Sequence, residues 1–306
     1  VSGHHKLGAQ ARSRQEREEE TSPVWREGRI VEDDTSAARA TRYGDGLFAT
    51  LRVADGHLLD ARRQAVRLLA GAALLELDPP PGWEDPEAVV RHLLEAAAAL
   101  GARDGEAVLR CQWSAAPGAR GYGRGRASSA RVERFPVPPS RSLRVAVLDD
   151  GEVPPPALPG VKSCSALAHV LAARAAARRT APEAVRVFGG HVAEAVSANL
   201  FWIEAGRLRT PATDLPLYPG IVRARTIEAA GTLGLSIEEG RWSPADLGRA
   251  DGAALTGSVR GVERIETLAG IELAGAPELQ AVADEVARAR RADATPVPPG
   301  EGEDAA

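Results

Sequence analysis

The chain holds two lysines, Lys6 and Lys162, against thirty-six arginines. Where positive charge alone suffices, this sequence writes arginine. An arginine keeps its proton at working pH and forms no imine; a partly desolvated lysine amine can lose its proton and form one. Lys6 stands in a polar, charged opening. Lys162 stands between the run Val153-Pro154-Pro155-Pro156-Ala157-Leu158-Pro159-Gly160 and the apolar stretch Ala166-Leu167-Ala168-His169-Val170-Leu171-Ala172. That setting suits a Schiff-base lysine, although an arginine-biased composition that spared one lysine would leave the same trace. A second rare residue follows. Asn199, the only asparagine, lies in Glu194-Ala195-Val196-Ser197-Ala198-Asn199-Leu200-Phe201-Trp202. Asparagine is disfavoured in strands, so one in a strand-like run points to a specific side-chain hydrogen bond; an ordinary turn is the other explanation.

The elements that must position these residues can be read in order. Residues 1–23 are polar and charged and read as a disordered tail. Gly44-Asp45-Gly46 is turn chemistry leading into the strand Leu47-Phe48-Ala49-Thr50-Leu51-Arg52-Val53, and Asp55-Gly56 reverses the chain. Helices are expected over 65–77 and 86–100, the second opening on Pro86. A strand spans 107–113. Residues 114–128 are rich in glycine and arginine and read as a loop. After a strand over 143–148, the proline run 149–160 reads as a linker between a domain at 24–148 and one at 161–291. In the second half helices (165–179, 221–233, 277–291) alternate with strands. Residues 292–306 read as a second tail. The fold class is α/β.

Composition limits the function. With 306 residues the chain can bury a sizeable core. A formal net charge of -4 and the lack of a strongly basic block argue against a nucleic-acid partner. No run of eighteen apolar residues offers a membrane span, and no apolar signal core opens the sequence, so a cytoplasmic location is expected. Cys111 and Cys164 make neither a disulfide framework nor a zinc spacing, and the histidines show no paired ligand spacing, so no metal is expected.

Six segments in this order resemble the class IV aminotransferase family, the fold-type IV enzymes of pyridoxal phosphate: Tyr43-Gly44-Asp45-Gly46-Leu47-Phe48, Arg67-Leu68, Gly160-Val161-Lys162, Glu194 through Phe201, Gly220-Ile221-Val222-Arg223 and Thr256-Gly257-Ser258. The resemblance implies a two-domain α/β fold, a smaller N-terminal and a larger C-terminal domain, with pyridoxal 5'-phosphate in the cleft between them. It implies a small-molecule amino substrate and a homodimer. Lys162 would carry the cofactor as a Schiff base and shuttle the proton. Glu194 would face the pyridine nitrogen and keep it protonated. Arg67 would grip the phosphate, Ile221 and Val222 would offer it backbone N–H groups at a helix start, and Ser258 would add a hydroxyl.

Within the family, local features resemble aminodeoxychorismate lyase. They are Arg39-Ala40-Thr41, the run Ser197-Ala198-Asn199-Leu200-Phe201-Trp202, and Arg120-Gly121-Tyr122, whose Arg120 would meet a substrate carboxylate. Ala49 stands where aminotransferases commonly carry glutamate, which would remove an acid from the site. The expected reaction converts 4-amino-4-deoxychorismate to 4-aminobenzoate and pyruvate, a step of folate biosynthesis. The alternatives are an aminotransferase for branched-chain or D-amino acids, and a non-catalytic protein that keeps the fold.

Overall fold

The structure, a computed structural model, describes residues 24–26, 28–31, 39–103, 105–115, 122–123, 127–139 and 141–299. The expected tail 1–23 and Arg120 lie outside them. The first half runs through β1 (Val24–Arg26), β2 (Arg29–Val31), α1 (Arg39–Tyr43), β3 (Gly46–Ala54), β4 (His57–Leu58), α2 (Ala61–Leu74), α3 (Pro86–Ala99), β5 (Ala107–Ala115) and β6 (Ser128–Phe135). Alternation along β3 decides its two faces. Leu47, Ala49, Leu51 and Val53 pack against Ala65, Leu68 and Ala72 of α2 and Val89 and Leu93 of α3. Phe48 and Thr50 therefore point the other way, toward the second half. The apolar residues of α2 recur at helical spacing, and α3 starts where the Asp85 carboxylate accepts the Ala88 N–H at 2.8 Å.

The second half contains β7 (Arg144–Val147), α4 (Leu167–Arg178), β8 (Glu183–Phe188), β9 (His191–Ala195), β10 (Asn199–Glu204), β11 (Arg207–Pro211), α5 (Ile221–Thr232), β12 (Ile237–Gly240), β13 (Gly252–Gly257), β14 (Gly261–Ile265), β15 (Thr267–Leu268), β16 (Ile271–Glu272), α6 (Pro277–Ala292) and β17 (Thr295–Pro296). Strands β7 to β16 form two five-stranded sheets, ordered β16-β15-β7-β8-β9 and β12-β11-β10-β13-β14. β10 is buried on both faces. Its Leu200 and Trp202 join Val145, Val185 and Leu255 between the two sheets, while Phe201 and Ile203 meet Val222 of α5 and Val282 and Val286 of α6. β7 and β8 are parallel, so the chain must cross over between them. The crossover carries the proline run, Lys162 and α4.

Two expectations are corrected. β7 falls inside the stretch 24–148, yet it pairs with β8 and β15 of the second half; an apolar strand does not announce which sheet it will join. The tail expected from residue 292 is ordered at its start. β17 pairs with β4 and completes a seven-stranded antiparallel sheet, β17-β4-β3-β5-β6-β1-β2. The Val297 N–H donates to the Gly56 carbonyl at 2.9 Å, and its side chain enters the first core.

The halves are also joined by charge. Asp60, just before α2, is 2% exposed. Its carboxylate accepts from Arg225 Nε of α5 at 3.0 Å and from Arg290 Nε of α6 at 2.7 Å. Arg225 reaches on to Asp293 at 2.7 Å. No helix among the described residues is long and apolar enough to cross a membrane.

Candidate active site

The segment holding Lys162 lies alongside β3. The Phe48 N–H donates to the Lys162 carbonyl at 2.9 Å, the Cys164 N–H to the Gly46 carbonyl at 2.8 Å, and Leu47 and Ser163 form an isolated antiparallel bridge. Gly44 permits this approach. Its φ is +68°, and a Cβ there would stand 2.2 Å from Ser165 Oγ. The Lys162 amine sits between two aromatic faces, 4.9 Å from the Phe48 ring centroid and 5.1 Å from that of Tyr218. Burial pushes its pKa below the ordinary 10.5; the Glu194 charge pulls it back up, and Arg110 and Arg67 push it further down.

Lys162 stands at the junction of two cavities of about 770 and 600 Å³. Phe48, Val161, Lys162 and Tyr218 line both, so they are lobes of one cleft. Arg67 and Ile221 line the first lobe, with the Arg67 guanidinium 4.7 Å from the Tyr218 ring centroid. Ile221 opens α5, whose first N–H groups have no intrahelical acceptor and favour an anion. The Val222 side chain packs into the core, so this residue offers the cleft only its backbone. Ser258 lines the second lobe; its Oγ accepts from Gln64 Nε2 at 3.1 Å and keeps its own proton to donate.

Glu194 is 4% exposed and held from several sides. Oε1 accepts from Arg186 Nη2, and Oε2 accepts from the Tyr218 N–H at 3.0 Å and Asn199 Nδ2 at 3.5 Å. Asn199 thus has the specific bonds its rarity suggested. Its Nδ2 also donates to the Tyr218 carbonyl at 2.7 Å, and its Oδ1 accepts the Gly220 N–H at 3.1 Å. It ties Glu194 to the start of α5. A Cβ on Gly220 would lie 2.4 Å from Asn199 Oδ1, so only glycine fits here.

Of the six expected residues that are described, Arg67, Lys162, Ile221 and Ser258 line the cleft, Glu194 stands behind its Tyr218 wall by accepting the Tyr218 N–H, and Val222 follows Ile221 with its side chain in the core. Arg120 lies outside the described residues. Tyr122, two places on, packs edge-on to Tyr43 with centroids 5.7 Å apart, and its carbonyl accepts from Arg39 Nη2 at 3.1 Å. Ala49 belongs to the core cluster, on the strand face opposite Phe48. An acid at 49 would adjoin the first lobe rather than stand beside Phe48.

Three neighbours escaped the sequence reading. Tyr218 walls Lys162; its signal was a rare tyrosine before Pro219-Gly220. Arg110 stacks on the Phe48 ring at 3.8 Å and makes no salt bridge among the described residues. Arg186 sits behind Glu194. Neither arginine carries a signal in the sequence, since each reads as the outward position of its strand.

Comparison with known proteins settles the family. The Amino-transferase class IV model matches residues 46–268. The chain belongs to the class IV aminotransferase family. An aminodeoxychorismate lyase of Vibrio harveyi is 26% identical over 243 residues, covering 76% of this chain and 87% of the relative. A bifunctional aminodeoxychorismate lyase / D-amino acid transaminase of Mycobacterium tuberculosis is 28% identical over 274 residues, covering 82% and 90%. The branched-chain aminotransferase of Thermoproteus uzoniensis, solved with norvaline, superposes with a TM-score of 0.81 at 25% identity, covering 91% of this chain and 100% of the neighbour. The chain is an enzyme of the lyase or aminotransferase type, and its cofactor is pyridoxal 5'-phosphate.

The residues fit that cofactor. A desolvated amine suits its aldehyde, a buried carboxylate suits its ring nitrogen, and a helix start beside an arginine suits its phosphate. One expected result follows from the Lys162 environment. Because burial and two cations lower its pKa, the neutral amine is present at lower pH than in free lysine. Cofactor capture by the apo-protein should rise with pH through a midpoint below 10.5. Arg110→Ala removes a like charge, so the midpoint should move to higher pH. Stopped-flow absorbance across a pH series measures both.

Proposed function

We propose that this class IV enzyme is an aminodeoxychorismate lyase, releasing 4-aminobenzoate and pyruvate from 4-amino-4-deoxychorismate. The carrying observation is the convergence on one cleft of an amine of lowered pKa, a buried carboxylate and unpaired positive charge. When bound, pyridoxal 5'-phosphate supplies an aldehyde for the substrate's amino group and a ring that accepts the electron pair left by proton removal. Arg67, the N–H groups of Ile221 and Val222, and the Ser258 hydroxyl hold its phosphate. Glu194 holds a proton at its ring nitrogen, and Asn199 fixes the distance between that carboxylate and the phosphate site. Lys162 takes the proton from the substrate carbon that bears the amino nitrogen. Phe48 and Tyr218 exclude water around that amine. Arg110 and Arg120 meet the substrate's two carboxylates. Loss of the enolpyruvyl ether as pyruvate leaves an aromatic ring, which makes the step irreversible in practice.

The test is to supply aminodeoxychorismate and look for 4-aminobenzoate and pyruvate in equal amounts. Their absence, with amino transfer from D-alanine or a branched-chain amino acid to 2-oxoglutarate, would replace the lyase by an aminotransferase. That second reading has support in the bifunctional relative and in the branched-chain fold neighbour. Arg120→Ala should raise KM roughly ten- to hundredfold, the worth of one charge-assisted hydrogen bond, and leave cofactor affinity unchanged. Equal loss of both would remove Arg120 from the substrate site. The proposal includes a homodimer; light scattering should give twice the 32.1 kDa chain mass.

A further inference from the structure

Arg186 is the one fully buried arginine side chain, at 0% exposure, among the described residues. Its Nη2 donates to Glu194 Oε1 and lies 3.2 Å from His169 Nε2, while Nε and Nη1 find no partner. Burying a guanidinium so incompletely bonded is unfavourable, and an apolar side chain of similar volume would fill the space at lower cost. The backbone is shaped around the contact. Val185 pairs with Ala195 and Val187 with Val192, so Ala193 and Glu194 together oppose Arg186. This is a bulge in β9, a device that re-aims a side chain, and the re-aimed residue is Glu194.

We propose that Arg186 is a positioning residue that acts through Glu194 to limit how firmly the cofactor's ring nitrogen holds its proton. This rests on the reading above that Glu194 faces that nitrogen. Oε1 is committed to a cation and Oε2 to the Tyr218 N–H and Asn199. A carboxylate so engaged has less negative charge to offer a pyridinium than a free one, and the nearby cation opposes positive charge on the ring. Glu183 on β8 and His169 on α4 also adjoin the pair; burial pushes the Arg186 pKa down, and the charges of Glu194 and then Glu183 pull it partly back up. The ring is thereby a weaker electron sink than a lone glutamate would make it. Such a ring suits a reaction in which the electron pair must leave again at once to expel a leaving group.

The test loads the enzyme with pyridoxal phosphate labelled with 15N in the ring and records the nitrogen resonance at neutral pH. In the wild type it should fall short of the fully protonated limit. Arg186→Met and Arg186→Gln should move it toward that limit, by the change in occupancy that a rise of about one pKa unit gives, and Arg186→Lys should restore the wild-type position. A purely structural arginine would leave the resonance in place in any variant that still binds cofactor, and that result overturns the proposal. A wild-type resonance already at the protonated limit overturns it without any variant. Glu194→Gln is the control and should shift the resonance toward the neutral limit. If it does not, the reading of Glu194 falls and takes this proposal with it; if only the Arg186 variants are silent, the proposal alone falls.

Discussion

Lys162→Ala should lower turnover by about 10⁴-fold, the upper end of what a positioned proton-transfer group contributes, and should abolish the covalent link to the cofactor. The amine is the only one in the described chain. Its neighbours are aromatic faces and cations, and no second lysine stands by to replace it. Lys162→Arg would keep charge and length and should fail equally, because the guanidinium neither deprotonates nor forms an imine. Phosphate affinity should survive in both variants, since Arg67, the α5 start and Ser258 are untouched. The measurement pairs borohydride trapping and peptide mapping with steady-state rates. A variant that keeps a tenth of wild-type turnover would mean that another base removes the proton.

The second large effect concerns stability. Asp60→Ala leaves Arg225 and Arg290 buried and without their shared carboxylate. Breaking such a cluster on one side costs about 3–5 kcal/mol, because Arg290 is stranded and Arg225 is left with only the exposed carboxylate of Asp293. In a chain of this size the melting temperature should fall by roughly 10 °C. The damage should reach the site as well. Arg290 Nη2 donates to the Ser258 carbonyl at 2.6 Å, and Gln64, one turn after Asp60, donates to Ser258 Oγ. Cofactor affinity should therefore weaken together with stability. A calorimetric loss below 1 kcal/mol would show that the arginines find other partners.

How much of this could be read from the residues has a physical pattern. The placement of Lys162, Asn199 and the Gly220 start of α5 beside the cleft was legible because each is a rare type, or a residue only one conformation tolerates. The strand Gly46–Ala54 and helix Ala61–Leu74 were legible from their periods. Arg110 and Arg186 were not. In sequence each looks like the solvent position of an alternating strand, and only the layer packed above decides that it is enclosed. Arg186 depends further on a bulge, which no period reveals. The sheet joined by β7 and the docking of residues 295–297 were hidden for a similar reason: both depend on partners distant along the chain.

That last docking has a consequence for how the molecule is made. The outer partner of β4 is β17, the last strand among the described residues, more than two hundred residues downstream. At ribosomal speeds of about 5–20 residues per second, the rim at His57–Leu58 waits roughly ten to fifty seconds for it. During that interval an unpaired strand edge is open to wrong pairings with other nascent chains. Truncation just before Thr295 would make the vacancy permanent, and the product should accumulate in inclusion bodies although every residue assigned above to the cofactor has been translated.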